Sequence, residues 1–438
     1  MNIENEKEII QIGIIGFGDM GRLYANKFNE AGWKNINVCD LPEKYESLRE
    51  QFKDTGINVL RDGHQVSRIS DIIFYSVEAK NIDAVVKEYG PSTKFNAVVG
   101  GQTSIKEFEI LAFEKYLPKD VDILCCHSMH GPTVMTKGQP LVIIRQRCSD
   151  EHFALVNRLL DCLQSQKVML SYLEHDQITA DTQAVTHLAF ISMGTAWKRQ
   201  GKFPWESPNY AGGIENVKVL MTLRIYNNKW HVYAGLAMMN PSAMRQVHQF
   251  SKSVNELFKL MIQEKREEFI KRIKTAGEQV FSERNHQHRH ILLEDDLLDK
   301  FSLSIIPKEQ RKPNSHLSLL AMVDCWHTLN INPYDHMICE TPIINNRLLL
   351  GIAEYLFRNE DFLDEAIEAA LTDINIRADD LEYCLSATIW ENIIHNKDIE
   401  HYKQQFEEVS NFFKHRLDEA SRASSSLISK ISANIRKI

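Results

Sequence analysis

The sequence predicts an α/β fold, with an N-terminal Rossmann-like, doubly wound parallel sheet followed by an all-α C-terminal domain. Two observations predict this arrangement. Through about the first 170 residues, short apolar runs alternate with segments of helical period, as in sheets covered by helices on both faces. Beyond that point strand-like runs disappear and helical patterns dominate. We therefore expect a sheet domain in residues 1–173 and a helical domain in residues 174–438, since a chain of 438 residues exceeds one ordinary core.

Eight apolar runs predict the strands of the sheet. Most of them are continuous rather than alternating, which is typical of strands buried on both faces. The segments between them, such as Pro42–Lys53 and Ser104–Tyr116, have helical period and helix-forming composition. In chain order the predicted strands are Ile9–Ile15, Ile36–Asp40, Ile57–Leu60, Asp71–Val77, Ala97–Gly100, Val121–Cys126, Leu141–Arg145 and Val168–Leu173.

The second domain is predicted to consist of helices. Four long segments have the helical period, and a polar amphipathic stretch at the C-terminus continues the pattern. A helical domain of this kind often supplies a substrate-binding wall and a homodimer interface, and we expect both here. The predicted helices are Thr182–Arg199, Met244–Lys274, Ser315–Leu329 and Arg347–Arg358.

A glycine-rich segment between the first predicted strand and the following helix predicts a dinucleotide site. In this setting the first glycine permits a tight turn, the second lets the backbone approach a pyrophosphate, and the third lets the helix pack on the strand. The N–H groups at the start of that helix would bind the phosphates. An acidic residue, Asp40, follows at about the distance expected for a ribose contact. The predicted cofactor-binding residues are Gly16, Phe17, Gly18, Asp19, Met20, Gly21 and Asp40.

Composition argues against several other classes of protein. The net charge is −8 and the basic residues form no stripe, so we expect no nucleic-acid partner. No apolar run approaches the length of a membrane span, and the polar, acidic first residues differ from a presequence. The eight cysteines show no zinc spacing, and we interpret His286, His288 and His290 as a solvated loop. We therefore expect a cytoplasmic protein without a metal.

Ser104, His127 and His130 follow predicted strands, at the edge of the sheet where α/β folds bind ligands. An oxidoreductase that removes hydride from a carbon bearing a hydroxyl group needs a base beside that carbon. Histidine suits this role because its ordinary pKa lies near neutrality. We predict His127 as the base, whereas His130 is near the turn at Gly131 and is interpreted as shaping it.

Polar residues of the predicted helical domain add candidates for substrate binding. Gln183 and His187 are four residues apart on one helix face, among apolar neighbours. A hydrogen-bonded core histidine is the competing interpretation of His187. Arg224 lies in an apolar run with few other charges, where it would suit a substrate carboxylate or an internal salt bridge.

Several motifs together resemble prephenate dehydrogenase in its fungal form. They are the glycine-rich segment, Gly100–Ser104, His127–Pro132, His175–His187, Asn228–Tyr233, Pro313–Leu317 and Asp335–Cys339. The resemblance covers nearly the whole chain. It implies oxidative decarboxylation of prephenate to 4-hydroxyphenylpyruvate in L-tyrosine biosynthesis, with hydride transfer to a nicotinamide cofactor.

The resemblance also implies roles for particular residues. His127 matches the histidine that takes the proton from the ring hydroxyl, and Ser104 matches a serine near that hydroxyl and the nicotinamide. His187 matches a helix histidine of the substrate pocket. Bacterial members hold the substrate carboxylate with an arginine five residues before an Asp-Pro pair. Here the pair is Asn240-Pro241 and the fifth residue before it is Gly235, so Arg224 is the nearest upstream arginine. Lys218, Lys229 and His231 are the fallback candidates.

Local chemistry and family resemblance differ over the cofactor. Asp40 favours NAD, because its carboxylate would bind a ribose 2′-OH and repel a 2′-phosphate. The fungal family implies NADP, with Lys44 or Arg22 to offset the repulsion, and we predict NADP with NAD as the alternative.

Three other functions stay open at this point. Arogenate dehydrogenase performs the same chemistry on an aminated substrate. A β-hydroxyacid dehydrogenase would use a lysine base on the first interdomain helix, where no lysine occurs before Lys198. A non-catalytic NAD(P)-sensing protein would leave Ser104, His127 and His187 without a shared role.

Overall fold

The structure is a computed structural model that describes residues 3–132, 134–206, 213–282, 312–334 and 344–435. The described chain forms two compact units, one ending at Gln177 and the other beginning at Ile178. The first unit contains one eight-stranded sheet with helices, and the described part of the second contains helices alone. The predicted fold class is confirmed. Within the described ranges, no helix is long and apolar enough to cross a membrane.

The strand order of the sheet is β3-β2-β1-β4-β5-β6-β7-β8. From β3 to β6 all neighbours are parallel, and the order reverses between β1 and β4. Ligands of such sheets bind at this reversal, beyond the carboxyl ends of the strands. The strands are β1 Gln11–Ile15, β2 Asn35–Cys39, β3 Ile57–Val59, β4 Ile72–Tyr75, β5 Val98–Gly101, β6 Asp122–Ser128, β7 Pro140–Arg147 and β8 Gln166–Met169.

Helices between the strands complete the first unit. The second helix illustrates how they pack: the rings of Tyr24 and Phe28 lie 6.0 and 5.8 Å from that of Phe74 on β4. The first helix was not predicted, and its buried Glu6 pairs with Arg158 at 2.6 Å. These helices are α1 Ile3–Ile9, α2 Asp19–Glu30, α3 Tyr45–Gln51, α4 Gly63–Ile69, α5 Ile82–Tyr89, α6 Lys106–Tyr116 and α7 Asp150–Leu160.

One strand departs from the predicted parallel arrangement. β7 runs antiparallel to β6, with His127 opposite Val142. The connection from Met129 to Gln139 contains no helix among its described residues. A parallel partner would need a longer crossover, usually a helix, whereas a short connection returns the chain antiparallel. β8 follows α7 and is parallel to β7.

The second unit consists of helices around one apolar core. Two predicted segments differ in their bounds. The strand expected at Val168–Leu173 ends at Met169, because α8 already begins at Tyr172. The helix expected over Met244–Lys274 is two helices, since the chain turns at Gln263–Lys265 with Glu264 at φ +54°. The helices from there on are α8 Tyr172–Gln200, α9 Ile214–Tyr226, α10 Trp230–Met239, α11 Pro241–Ile262, α12 Arg266–Val280, α13 Leu317–Thr328, α14 Ile344–Arg358, α15 Glu360–Thr372, α16 Ile374–His395 and α17 Ile399–Ile435.

Candidate active site

The three glycines of the turn between β1 and α2 meet different demands. Gly16 has φ +95°, and a Cβ there would lie 2.5 Å from the carbonyl oxygen of Ser76. A Cβ on Gly21 would lie 2.4 Å from the carbonyl oxygen of Gly16, so the turn and the helix need both glycines. Gly18, the N-cap of α2, has φ −76°, and a Cβ there would meet nothing within 4 Å among the described residues. Nothing in the described fold therefore requires a glycine at this position, whereas a pyrophosphate approaching the start of α2 would.

Asp40 follows β2 and braces this turn. Its carboxylate accepts hydrogen bonds from the backbone N–H of Phe17 at 3.2 Å and of Leu41 at 2.7 Å. Lys44 forms an ion pair with it at 3.1 Å, and about half of the Lys44 side chain is exposed. The second basic residue considered for the cofactor, Arg22, instead donates to the carbonyl oxygen of Phe17. The negative charge of Asp40 is thus already paired within the chain.

His127 lies near the carboxyl end of β6 with its ring partly buried. Its Nδ1 lies 2.7 Å from Nε2 of His175, and its own Nε2 makes no hydrogen bond with any residue in the described ranges. Burial lowers the pKa of His127 well below its ordinary value, and the charges of His175, Lys106 and His130 lower it further. The imidazole is therefore neutral near pH 7, as a proton acceptor must be.

His175 continues this contact to a carboxylate. Its Nδ1 lies 2.8 Å from Oδ1 of Asp176, and both side chains are almost fully buried. Burial lowers the pKa of His175, although hydrogen bonding to Asp176 opposes the shift. The two oxygens of Asp176 also accept the backbone N–H groups of Lys106 and Glu107, each at 2.8 Å. The carboxylate therefore caps the start of α6, where the helix dipole favours a negative charge.

Lys106 connects the same helix to two strands. Its buried ammonium donates to the carbonyl oxygens of Gly101 at 3.0 Å and Cys126 at 2.9 Å, at the ends of β5 and β6. It also pairs with Glu109 at 2.6 Å, and neither side chain is exposed. Burial by itself would lower the pKa of Lys106, but Glu109 outweighs it and the pKa is raised. The ion pair holds together the strand ends that carry the candidate residues.

The loop after β5 presents further polar groups. The hydroxyl of Ser104 makes no hydrogen bond with a described residue. The side-chain amide of Gln102 is buried, and neither its oxygen nor its nitrogen has a partner in the described part of the chain. A buried amide without a partner costs free energy, which a bound ligand could recover. His130 bonds to the carbonyl of Gly131 at 2.9 Å, in keeping with a role in the turn.

In the second unit, α8 places Gln183 and His187 one turn apart. The ring of His187 packs edge-on against Tyr233 of α10, with centroids 4.9 Å apart. Both residues line a small, largely apolar cavity of about 10 Å³ that also contains Tyr402. Burial lowers the pKa of His187 to about 4, and its Nδ1 has no partner among the described residues.

Arg224 of α9 is a half-buried cation. Its guanidinium makes no ion pair or hydrogen bond with the described residues, and burial lowers its pKa. Asn228 donates both to the backbone carbonyl of Arg224 and to the hydroxyl of Tyr233, each at 3.0 Å. The structure thus brings Arg224 close to Tyr233, which contacts His187. His231 packs against Trp230 instead.

Sequence reasoning assigned no role to His175, Asp176, Lys106 or Gln102. A signal existed for the first two, because an adjacent histidine and aspartate stand where β8 ends and a helix begins. Their contacts with His127 and α6 span 48 and 70 positions, which no local pattern reveals. No group of three metal-ligating side chains occurs in the described residues, and the histidines at 286, 288 and 290 lie outside them.

The glycine turn at the sheet reversal, with a neutral histidine at a neighbouring strand end, defines an oxidoreductase of the Rossmann type. Two family models match the chain, one described as "NADP oxidoreductase coenzyme F420-dependent" over residues 11–99 and one as a "6-phosphogluconate dehydrogenase C-terminal domain" over residues 184–433. The prephenate dehydrogenase [NADP(+)] of Saccharomyces cerevisiae is 50% identical, with 98% of this chain and 95% of that protein aligned. The chain belongs to the prephenate dehydrogenase family.

Other relatives agree with this assignment. A probable prephenate dehydrogenase [NADP(+)] of Schizosaccharomyces pombe is 53% identical over 99% of this chain and all of that protein. Among solved structures, prephenate dehydrogenase from A. aeolicus in complex with hydroxyphenyl propionate and NAD+ is similar, with a TM-score of 0.49 and 18% identity. That match covers 60% of this chain and 94% of the other. The family resemblance read from the sequence motifs is confirmed by the full-length relatives.

Proposed function

We propose that this chain catalyses the NADP-dependent oxidative decarboxylation of prephenate to 4-hydroxyphenylpyruvate, a step of L-tyrosine biosynthesis. One observation carries the proposal beyond family membership: His127 presents a neutral imidazole with an unused Nε2 at the carboxyl end of β6. A base in that position suits a reaction that begins at a ring hydroxyl. The two fungal relatives at 50% identity or more are named for this activity.

In the proposed mechanism, His127 Nε2 accepts the proton of the ring hydroxyl. The nicotinamide, when bound, supplies the acceptor for the hydride that leaves the same carbon. Carbon dioxide departs from the opposite ring carbon, and its bonding electrons complete the aromatic ring. Aromatisation drives the step, so the protein mainly orients the substrate and holds the base. The unpartnered hydroxyl of Ser104 in the described chain supports a role for it beside the reacting hydroxyl.

We propose Arg224 as the residue that binds a substrate carboxylate. The support is a half-buried guanidinium without a partner in the described chain, which a bidentate carboxylate would satisfy. We further propose that His187 and Gln183 of α8, together with His231, contact the substrate. His187 supports this with a buried ring nitrogen that has no hydrogen-bond partner among the described residues.

NADP is the proposed cofactor, with NAD as the alternative. The names of the fungal relatives support NADP. Asp40 argues against it less strongly than its position implies, because its carboxylate already accepts two backbone N–H groups and pairs with Lys44. The open side of Gly18 supports a pyrophosphate at the start of α2.

We also propose that the enzyme is cytoplasmic and forms a homodimer through its helical unit. Leu381 and Leu385 lie one turn apart on α16 with more than two fifths of each side chain exposed, and Ile374 is 75% exposed. Exposed apolar side chains on one helix are typical of an interface between subunits. Light scattering of the purified protein tests the dimer, and a monomeric mass would contradict it.

An assay of four substrate pairs tests the proposed activity. Prephenate or arogenate is mixed with NADP or NAD, and formation of the reduced nicotinamide is followed by absorbance. We expect turnover with prephenate and NADP, and loss of at least about 10³-fold in kcat for His127→Asn. Preference for arogenate would favour arogenate dehydrogenase, and cofactor binding without turnover would favour a sensing protein. Full activity of His127→Asn would show that the base is another residue.

A further inference from the structure

We propose that His175 and Asp176 are positioning residues that hold His127 in the one tautomer able to act as a base. The inference rests on the proposed role of His127 in proton removal. It concerns a chain of three side chains, His127–His175–Asp176, which we name the imidazole relay. Its two contacts measure 2.7 and 2.8 Å.

The argument begins at the carboxylate. Both oxygens of Asp176 accept backbone N–H groups at the start of α6, and a backbone N–H can only donate. Such bonds and the positive end of the helix dipole favour the ionised carboxylate. An ionised carboxylate accepts hydrogen bonds and cannot donate them. The contact at 2.8 Å therefore requires a proton on Nδ1 of His175.

The middle residue passes this constraint on. A neutral imidazole carries one proton, so a proton on Nδ1 leaves Nε2 of His175 as an acceptor. Its burial without exposed surface favours this neutral form. The contact of that Nε2 with His127 at 2.7 Å then requires a proton on Nδ1 of His127. In a neutral His127 the lone pair consequently lies on Nε2, the nitrogen that has no partner among the described residues.

The same contacts fix the orientation of the base. The rings of His127 and His175 meet at 65° with centroids 5.0 Å apart. When His127 takes up a proton, its Nδ1–H still donates to His175, and the carboxylate of Asp176 lies at the far end of the relay. The ammonium of Lys106 faces the same region, but it is paired with Glu109. The relay thus selects the reactive tautomer and leaves a negative charge near the imidazolium.

Three variants separate positioning from folding. Asp176→Asn lets the amide nitrogen face His175, which reverses both tautomers, and His175→Leu removes the acceptor for His127. In the serine-protease triad the corresponding change of carboxylate to amide lowers kcat about 10⁴-fold through the wrong tautomer. We expect kcat to fall about 10²- to 10³-fold in both variants here, with the KM of prephenate and of NADP within about threefold. In His175→Gln, the amide oxygen can replace Nε2 as acceptor, so we expect at least about tenfold more activity than in His175→Leu.

A matched control and a spectroscopic measurement accompany these variants. His152 pairs with Asp122 at 2.7 Å in the same unit, and His152→Gln removes that histidine–carboxylate contact. We expect His152→Gln to keep wild-type kcat. In protein labelled with ¹⁵N-histidine, the shifts of His127 should show the proton on Nδ1 in the wild type and a mixed or reversed tautomer in Asp176→Asn.

The outcomes distinguish the inference from the function on which it rests. If His127→Asn is inactive while Asp176→Asn and His175→Leu keep kcat within about twofold, the relay is wrong and the base stands. A proton on Nε2 of His127 in the wild type also overturns the relay. So does an equal loss of kcat in His152→Gln, because the effect would then follow from folding. Normal turnover of His127→Asn refutes the proposed base itself.

Discussion

The carboxylate of Asp40 holds the glycine turn through the N–H of Phe17 and is itself paired with Lys44. In a dinucleotide fold an acid at this position usually binds the ribose 2′-OH and rejects a 2′-phosphate. Here the ammonium of Lys44 lies beside the acid and remains half exposed. We infer that Lys44 provides the positive charge that admits a 2′-phosphate despite Asp40.

Replacing Lys44 with Gln tests this inference. Loss of the ammonium removes a charge-assisted contact and leaves Asp40 to repel the phosphate. We expect the KM of NADP to rise roughly fivefold to tenfold while the KM of NAD changes by less than about twofold. Lys94→Gln is the matched control, because Lys94 forms an ion pair with Asp71 next to the opposite end of β4. An unchanged ratio of the two KM values would contradict a role for Lys44 in choosing the cofactor.

At the scale of elements, α6 is attached to β5 and β6 by one buried ion pair. Lys106 reaches the carbonyl groups at both strand ends, and its partner Glu109 accepts the backbone N–H of Thr103 at 2.9 Å. Buried pairs of this kind are costly to break, because the remaining charge stays in a medium of low dielectric constant. The geometry of the strand ends therefore depends on both partners.

The variant Lys106→Met leaves Glu109 buried without its cation. We expect the free energy of unfolding to fall by about 3–5 kcal/mol, measured by urea denaturation at pH 7. The double variant Lys106→Met/Glu109→Gln should recover part of that loss, since it removes the unpaired charge. A loss below about 1 kcal/mol in the single variant would show that the pair contributes little to stability.

The elements also show how far sequence reasoning reaches. All eight predicted strands occur, because strands buried on both faces leave continuous apolar runs. The direction of β7 was not predictable from such a run, which looks the same in either orientation. The division of Met244–Lys274 into α11 and α12 depends on the left-handed Glu264, a conformation that its residue type does not announce. The candidate base was predictable from its place after a strand, whereas the relay depends on a contact made 48 positions away.

At the scale of the whole molecule, each of the two units has its own apolar core. The helical core contains histidines that burial keeps neutral. Burial lowers the pKa of His187 to about 4, and burial together with Lys218 lowers that of His316 well below its ordinary value. Such groups take up protons more readily in the unfolded chain than in the folded one.

We therefore expect the helical unit to lose stability as the pH falls from about 6.5 to about 4. In this window unfolded His187 is protonated and folded His187 is not, so the free energy of unfolding rises with pH. The effect of His187 is roughly 2–3 kcal/mol across the window. In His187→Asn, unfolding followed by circular dichroism at about pH 7.5 and 4.5 should show a correspondingly smaller difference. The exposed His248 provides the control His248→Asn, and an equal pH dependence in both variants would contradict the assignment to His187.

The eight-stranded sheet ends on both sides in short strands, three residues in β3 and four in β8. Exposed strand edges are templates for pairing with another chain, and natural proteins limit this with short edges and lysine side chains. On β8, Lys167 binds the carbonyl of Asn157 at 2.6 Å and the carboxylate of Asp161 at 2.5 Å. The sheet therefore offers little backbone to a further strand, which protects the cofactor-binding unit from aggregation by edge-to-edge growth.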